Sequence, residues 1–263
     1  MRSIAIYGKG GIGKSTIACH LAASWGLSGL KVALIGCDPK KDSCMLLTGN
    51  NPMKPILKAL RDGEPAERCL VRGYANVLCA EVGGPEPGIG CAGRGLLIAF
   101  EHLDRLGLFD GLDVVVYDVP GDVVCGGFAV PMKRAGSEVY IVTSGEYLSL
   151  YAASGISRAV KRMRAKLGGL ILNSRGPLRG ELKVVGAFAA ALNSRMIGVI
   201  PKLPILKRCS LEGKTVFQLS PRSKGSSVFR SLAEAISANE ARGEVNEVGD
   251  EELLRIARAA QLA

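Results

Sequence analysis

The chain has 263 residues, 48% of them hydrophobic, with 34 lysines and arginines against 24 acidic residues and a net charge of +10. This composition is ample for the buried core of one large α/β domain over 1–263, and no apolar run approaches the ~20 residues needed to span a bilayer. Eight cysteines without any C-x-x-C pair argue against a disulfide framework, and a strand at the very N-terminus leaves no room for a signal peptide, so a cytoplasmic location is expected. The basic residues are scattered, as in Lys161 to Lys166 and Pro221 to Lys224, without aromatic interleaving. A solvated face is the favoured reading, no membrane partner is expected, and nucleic acid is disfavoured as a partner.

Short apolar or β-branched runs alternate with longer helical ones, the pattern of a doubly wound, mostly parallel α/β sheet. In chain order the predicted strands are Ser3 to Tyr7, Lys31 to Gly36, Ala75 to Ala80, Asp113 to Val119, Glu138 to Thr143, Gly169 to Asn173 and Met196 to Ile200. The helices predicted between them are Lys14 to Leu27, Pro52 to Arg61, Arg94 to Leu106, Leu148 to Lys166, Arg179 to Asn193 and Val228 to Ser237. The tail, 239–263, carries Leu253, Leu254, Ile256, Ala257 and Ala260 at helical spacing and is expected to be an amphipathic helix packed on its own domain. Strands such as Val114 to Tyr117 are apolar throughout, so helices should cover both faces. Ligands gather at the carboxyl ends of such strands, where Gly8 to Ser15, Cys37 to Ser43, Gly83 to Gly95, Pro120 to Gly127 and Asn173 to Arg175 fall.

The run Gly8-Lys9-Gly10-Gly11-Ile12-Gly13-Lys14-Ser15 follows an apolar strand and opens a helix, the setting a phosphate-binding loop requires. Its backbone N–H groups would cradle the β-phosphate of ATP at a helix N-terminus, with Lys14 reaching the β- and γ-phosphates, Ser15 binding Mg²⁺ and Thr16 completing the nucleotide-binding set. Lys9 is a second cation that the bound nucleotide does not need. In a face-to-face dimer it could reach the partner's phosphates as an arginine finger does. The loop thereby resembles those of the deviant Walker A ATPases.

Cys91 and Cys125 each sit in a glycine-rich loop, Gly-Ile-Gly-Cys-Ala-Gly and Asp-Val-Val-Cys-Gly-Gly. Glycines let backbone N–H groups approach a sulfur closely, which suits a negatively charged iron–sulfur cluster. A 4Fe-4S cluster takes four thiolates, so two per chain imply one cluster on the axis of a C₂ homodimer. Cys19, Cys37, Cys44, Cys69, Cys79 and Cys209 are read as structural.

Beyond the loop with Lys9, the chain contains Gly36-Cys37-Asp38-Pro39-Lys40, Gly84-Pro85-Glu86-Pro87-Gly88 leading to Cys91-Ala92-Gly93-Arg94-Gly95, Gly121-Asp122-Val123-Val124-Cys125-Gly126-Gly127-Phe128, Thr143-Ser144-Gly145-Glu146 and Asn173-Ser174-Arg175. With these motifs in order, it resembles the nitrogenase iron protein family over nearly its whole length. The resemblance implies a homodimeric ATP-dependent reductase that takes electrons from a low-potential donor such as ferredoxin and passes them from its cluster to a separate catalytic protein. It implies that Asp38 to Ser43 is switch I and Asp118 to Cys125 switch II. Asp38 would then activate water, Asp42 would bind Mg²⁺ through water, Asp118 would sense the γ-phosphate side of the metal, and Asp122 would assist water activation. Asn173 would contact adenine. Arg94 would dock the partner and be the residue that is ADP-ribosylated in some relatives. Asp118 and Cys125 are seven residues apart, so at most roughly 25 Å of chain joins phosphate sensor to cluster ligand.

The chain departs from the common family pattern at Pro120, Lys41 and Cys44, in the short stretch from Met45 to Val82, and in its basic balance. The redox partner is therefore left open between a nitrogenase, a nickel-tetrapyrrole cyclase of coenzyme F430 synthesis and a protochlorophyllide reductase, with the Cys-Ala-Gly-Arg-Gly context favouring the first two. A rival class, a partitioning or positioning ATPase that binds DNA or membrane, accounts for the loop and the charge but not for Cys91 and Cys125.

Overall fold

Runs that are apolar at every position become strands buried on both faces. The computed structural model describes residues 1–84, 92–121, 129–134, 136–240 and 244–259. Within them the strands are β1 (Arg2–Gly8), β2 (Val32–Gly36), β3 (Val71–Arg72), β4 (Leu78–Glu81), β5 (Val114–Asp118), β6 (Ser137–Thr143), β7 (Lys166–Asn173) and β8 (Met196–Ile200). They form one sheet in the order β3-β4-β2-β5-β1-β6-β7-β8, parallel except for the β3–β4 pair. This is the doubly wound sheet that the alternation of runs predicts.

The helices are α1 (Lys14–Leu27), α2 (Met45–Thr48), α3 (Ile56–Arg61), α4 (Ala92–Arg105), α5 (Val130–Lys133), α6 (Tyr147–Arg162), α7 (Leu178–Ala191), α8 (Ile205–Glu212), α9 (Val216–Leu219), α10 (Lys224–Ser237) and α11 (Asp250–Ala259). Ile4 and Ile6 of β1 pack with Ile17 and Leu21 of α1 and Phe229 of α10 on one face of the sheet. Ala5 and Tyr7 pack with Phe100 of α4, Ile156 of α6 and Phe188 of α7 on the other. The period-two alternation of a strand sorts one residue run into two cores. Leu253 and Ile256 of α11 are buried, and α11 lies on α6 and α7.

Several element bounds differ from the sequence pattern, each for a local reason. The helix expected from Pro52 starts only at Ile56, because Pro55 stands at its N-cap in an extended conformation and a proline disfavours helix in the residue before it. Ala75 and Asn76, expected to open a strand, instead form a 3₁₀ turn at φ 56° and 58°, packed against Gly26 of α1, and β4 begins at Leu78. The helix expected to run to Lys166 stops at Arg162, and Arg164 reverses the chain at φ 53° so that β7 begins at Lys166. The β6–β7 register slips beside Gly168, where the Tyr140 ring occupies the space a Cβ would need. Helices α2, α5, α8 and α9 and the edge strand β3 have no counterpart in the predicted elements.

Candidate functional site

The carboxyl ends of β1, β2, β5 and the neighbouring loops converge on a cleft of about 900 Å³ lined by Gly10, Gly11, Gly13, Lys14, Ser15, Thr16, Asp38, Asp42, Pro120 and Gly121, with Leu206 and Ser210 of α8 at its side. At its floor the loop after β1 requires glycine at position 13 for two reasons. Gly13, the N-cap of α1, has φ 103°, and a Cβ there would meet the Asn173 amide at 2.6 Å. Gly10 and Gly11, by contrast, have nothing within 4 Å of a built Cβ, so their backbone faces open space. No side chain caps α1 and its first turn holds no acidic residue, which keeps the positive end of the helix available to an anion.

Lys14 is buried and its Nζ donates to the Lys9 carbonyl at 3.2 Å, folded over the loop it would serve. Two clamps hold the far side of the loop. Asn173 Nδ2 donates to the Ile12 carbonyl and Arg175 Nη2 to the Gly11 carbonyl, both at 2.7 Å. The loop carrying them is fixed by Glu181 of α7, whose carboxylate accepts from Ser174 Oγ at 2.5 Å and from the N–H groups of Arg175 and Gly145 at 3.0 Å. Burial pushes the Glu181 carboxyl up, but these donors outweigh it and hold the group below the ordinary carboxylate range. Neither Glu181 nor the clamp by Arg175 was legible from the motifs. The only sequence signal is an acidic residue in the first turn of a helix.

Beside the loop, Glu81, Gly36 and Asp118 stand in one register row at the ends of β4, β2 and β5, their Cα atoms paired across the sheet. Residues in such a row share a face, so two carboxyls flank the glycine, and Ser43 lies over it. A Cβ on Gly36 would overlap the Glu81 carboxylate and come within 2.7 Å of Ser43 Cβ. Ser43 Oγ, Glu81 Oε2 and Asp118 Oδ1 are buried without a hydrogen-bond partner. Burial raises the Asp118 carboxyl above its ordinary value, opposed by the nearby hydroxyls of Ser15 and Ser43 and by the Lys14 charge, and burial raises Glu81 to about 7 against the pull of the Cys44 amide. Unpartnered buried oxygens are costly in isolation, and a hydrated Mg²⁺ beside Ser15 and Asp118 would satisfy Asp118 Oδ1. The donor set therefore fits MgATP.

The Asp38–Ser43 loop begins from the Cys37 N–H, bonded to the Asp118 carbonyl at 2.9 Å. Asp38 is partly exposed and accepts from the Lys40 N–H at 3.0 Å, Lys41 adopts φ 61°, and Asp42 is exposed on the cleft wall. Gly121 abuts the phosphate loop, where a Cβ would lie 2.6 Å from the Gly8 carbonyl oxygen and 2.7 Å from the Gly10 nitrogen. Arg94 is exposed in the first turn of α4. Asp122, Cys91 and Cys125 lie outside the described residues. Of the predicted residues, Gly10, Gly11, Gly13, Lys14, Ser15, Thr16, Asp38 and Asp42 line the cleft, Asn173 holds the phosphate loop at Ile12, Asp118 is buried at the end of β5, and Arg94 is on the surface.

Residues 2–263 match the family model described as 4Fe-4S iron sulfur cluster binding proteins, NifH/frxC family. The chain is 49% identical over 243 residues to nitrogenase iron protein 2 of Methanothermobacter thermautotrophicus, covering 91% of both chains. It is 46% identical over 250 residues to the nitrogenase iron protein of Methanospirillum hungatei, covering 91% of this chain and 89% of that one. Among solved structures, the MinD cell division protein of Aquifex aeolicus superposes with a TM-score of 0.72 at 23% identity, covering 91% of this chain and 98% of that one. At that identity the likeness speaks for the fold alone.

Proposed function

This chain belongs to the NifH/frxC family of 4Fe-4S cluster-binding proteins, and from that premise we propose that it is an ATP-dependent reductase in which MgATP hydrolysis drives electrons from a dimer-bridging cluster to a separate catalytic protein. The observation that carries the coupling is the packing of Gly121, three residues after the buried Asp118 and four before Cys125 in the sequence, directly on Gly8 and Gly10 of the phosphate loop. A shift of the loop on losing the γ-phosphate has only this short segment to cross.

In this reading Gly10, Gly11, Gly13 and the first turn of α1 bind phosphate through backbone N–H groups, and Lys14 neutralises it. Ser15 and Asp118, with Asp42 through water, hold Mg²⁺, which supplies charge neutralisation between the phosphates. Asp38 and Asp122 orient and deprotonate the attacking water. Lys9 of one protomer reaches the nucleotide of its partner. Asn173 keeps Oδ1 for the adenine amino group while its Nδ2 holds Ile12. Cys91 and Cys125 from both protomers ligate the cluster, which supplies a low-potential electron, and Arg94 meets the electron acceptor. The acceptor is a nitrogenase or a nitrogenase-like tetrapyrrole enzyme and the donor a ferredoxin-type protein, in the cytoplasm.

The test is anaerobic iron analysis of the purified protein, which should contain about four irons per two chains and be brown. Cys91→Ser and Cys125→Ser should each lose the colour. A colourless, iron-free wild-type dimer that still hydrolyses ATP would favour the positioning-ATPase class instead.

A further inference from the structure

The Asp38–Ser43 loop is fastened at its exit by two buried contacts that nucleotide binding does not require. The Cys44 N–H donates to Glu81 Oε1 at 2.7 Å, and Cys19 Sγ of α1 donates to the Ser43 carbonyl at 2.8 Å. Glu81 is 1% exposed and ends β4, and the space for its carboxylate exists only because residue 36 is glycine. Just after Glu81, the backbone meets the same loop again. A Cβ on Gly84 would come 2.8 Å from Pro39 Cβ, and one on Gly83, at φ 79°, would come 2.6 Å from Pro55 Cβ and 3.9 Å from Lys41 Cγ. Cys44 is thus bonded to, and Pro39 packed on, a four-residue stretch, Glu81 to Gly84, whose chain reaches Cys91 seven residues later.

We propose that Glu81 is a positioning residue that fastens the Asp38–Ser43 loop to the end of β4, so that nucleotide-driven movement of this loop is passed to the chain leading to Cys91. It gives the site a second line of communication, separate from the segment between Asp118 and Cys125. The proposal rests on the reductase reading above. Contact in space does not establish coupling, so the test measures the coupling itself.

Wild type, Glu81→Ala and Glu81→Gln are purified anaerobically as dimers, and ATP affinity is measured with Mg²⁺ and with EDTA, alongside the rate at which an iron chelator removes iron with and without MgATP. Glu81→Ala should bind ATP in EDTA within about twofold of wild type, the spread of an untouched site. It should lose about tenfold of the gain that Mg²⁺ gives and about tenfold of the MgATP acceleration of chelation. Glu81→Gln keeps an oxygen acceptor for the Cys44 N–H and should retain most of both. Wild-type acceleration and Mg²⁺ gain in Glu81→Ala would overturn the proposal, as would equal weakening with and without Mg²⁺, which marks a merely structural role. A wild type without chelatable iron would sink the reductase reading, while the Mg²⁺ comparison would still decide the tether. Should Glu81→Ala not fold, Gly84→Ala displaces Pro39 and is expected to lower the acceleration in the same way; unchanged acceleration there overturns the proposal.

Discussion

Asn173 at the end of β7 holds the Ile12 carbonyl of the phosphate loop, and its amide fills the space that a side chain on Gly13 would need. The phosphate loop is therefore shaped by a strand some 160 residues away in sequence as well as by its own glycines.

Glu181 supports that clamp through Ser174 and the amides of Gly145 and Arg175. Removing a charged acceptor that satisfies buried donors costs about 1.5–3 kcal/mol, and part of that should appear as a looser nucleotide site. Glu181→Ala is expected to weaken ATP and ADP binding by about tenfold, equally with and without Mg²⁺. In isothermal titration, the effect of Arg175→Ala should be smaller in the Glu181→Ala background than in wild type. Full additivity of the two substitutions would show that they act independently.

Lys14 and Lys9 should separate by protomer. Lys14 is folded over its own loop, whereas Lys9 is partly exposed. Lys14→Ala is expected to abolish tight ATP binding. Lys9→Ala should keep binding and lose hydrolysis by ~10²-fold or more. In heterodimers that pair Lys9→Ala with Lys14→Ala chains, a site on the Lys9→Ala chain should work with Lys9 from its partner; inactivity of that site contradicts a role in trans.

Arg94 is exposed on the first turn of α4, close in sequence to Cys91. Arginine at the centre of an interface typically costs ~2 kcal/mol or more when truncated. Arg94→Ala should keep dimer, colour and nucleotide affinity while turnover with the electron acceptor falls by more than about thirtyfold. Unchanged acceptor-dependent turnover would remove Arg94 from the docking face.

His20 gives the fold a pH dependence of known sign. It is fully buried in α1, stacked on Phe229 with ring centroids 4.1 Å apart. Nε2 accepts from the Val216 N–H at 3.0 Å, which leaves Nδ1 to donate to the Thr16 carbonyl at 2.7 Å. Burial lowers its pKa from 6.5 to about 4, so the unfolded chain binds a proton that the folded one refuses. This contribution is fully present above pH 6.5 and is lost as pH falls toward 4, up to about 3 kcal/mol. Urea unfolding at pH 7 and pH 4.5 should show the loss in wild type, and a smaller one in His20→Gln, which does not titrate. An equal loss in both proteins would place the acid sensitivity elsewhere.

The sequence alone determined the features that are local in the chain. The phosphate loop is legible because strand, glycines, Lys14 and helix are contiguous, and the parallel sheet because short, mainly apolar runs such as Val114 to Tyr117 alternate with longer helical ones. Tertiary structure decided what depends on strands that are neighbours in space but not in sequence. Glu81, Gly36 and Asp118 meet only because β4, β2 and β5 are adjacent and in register, a pairing that no run of residues encodes locally. A carboxylate at the end of an apolar strand reads as the start of a loop until its neighbour proves to be a glycine that admits it. Likewise α8, with half-buried Ile205 and Leu206 and the exposed Leu211, has too weak an apolar stripe to be predicted, and it becomes the side of the cleft through packing against α2 and α9.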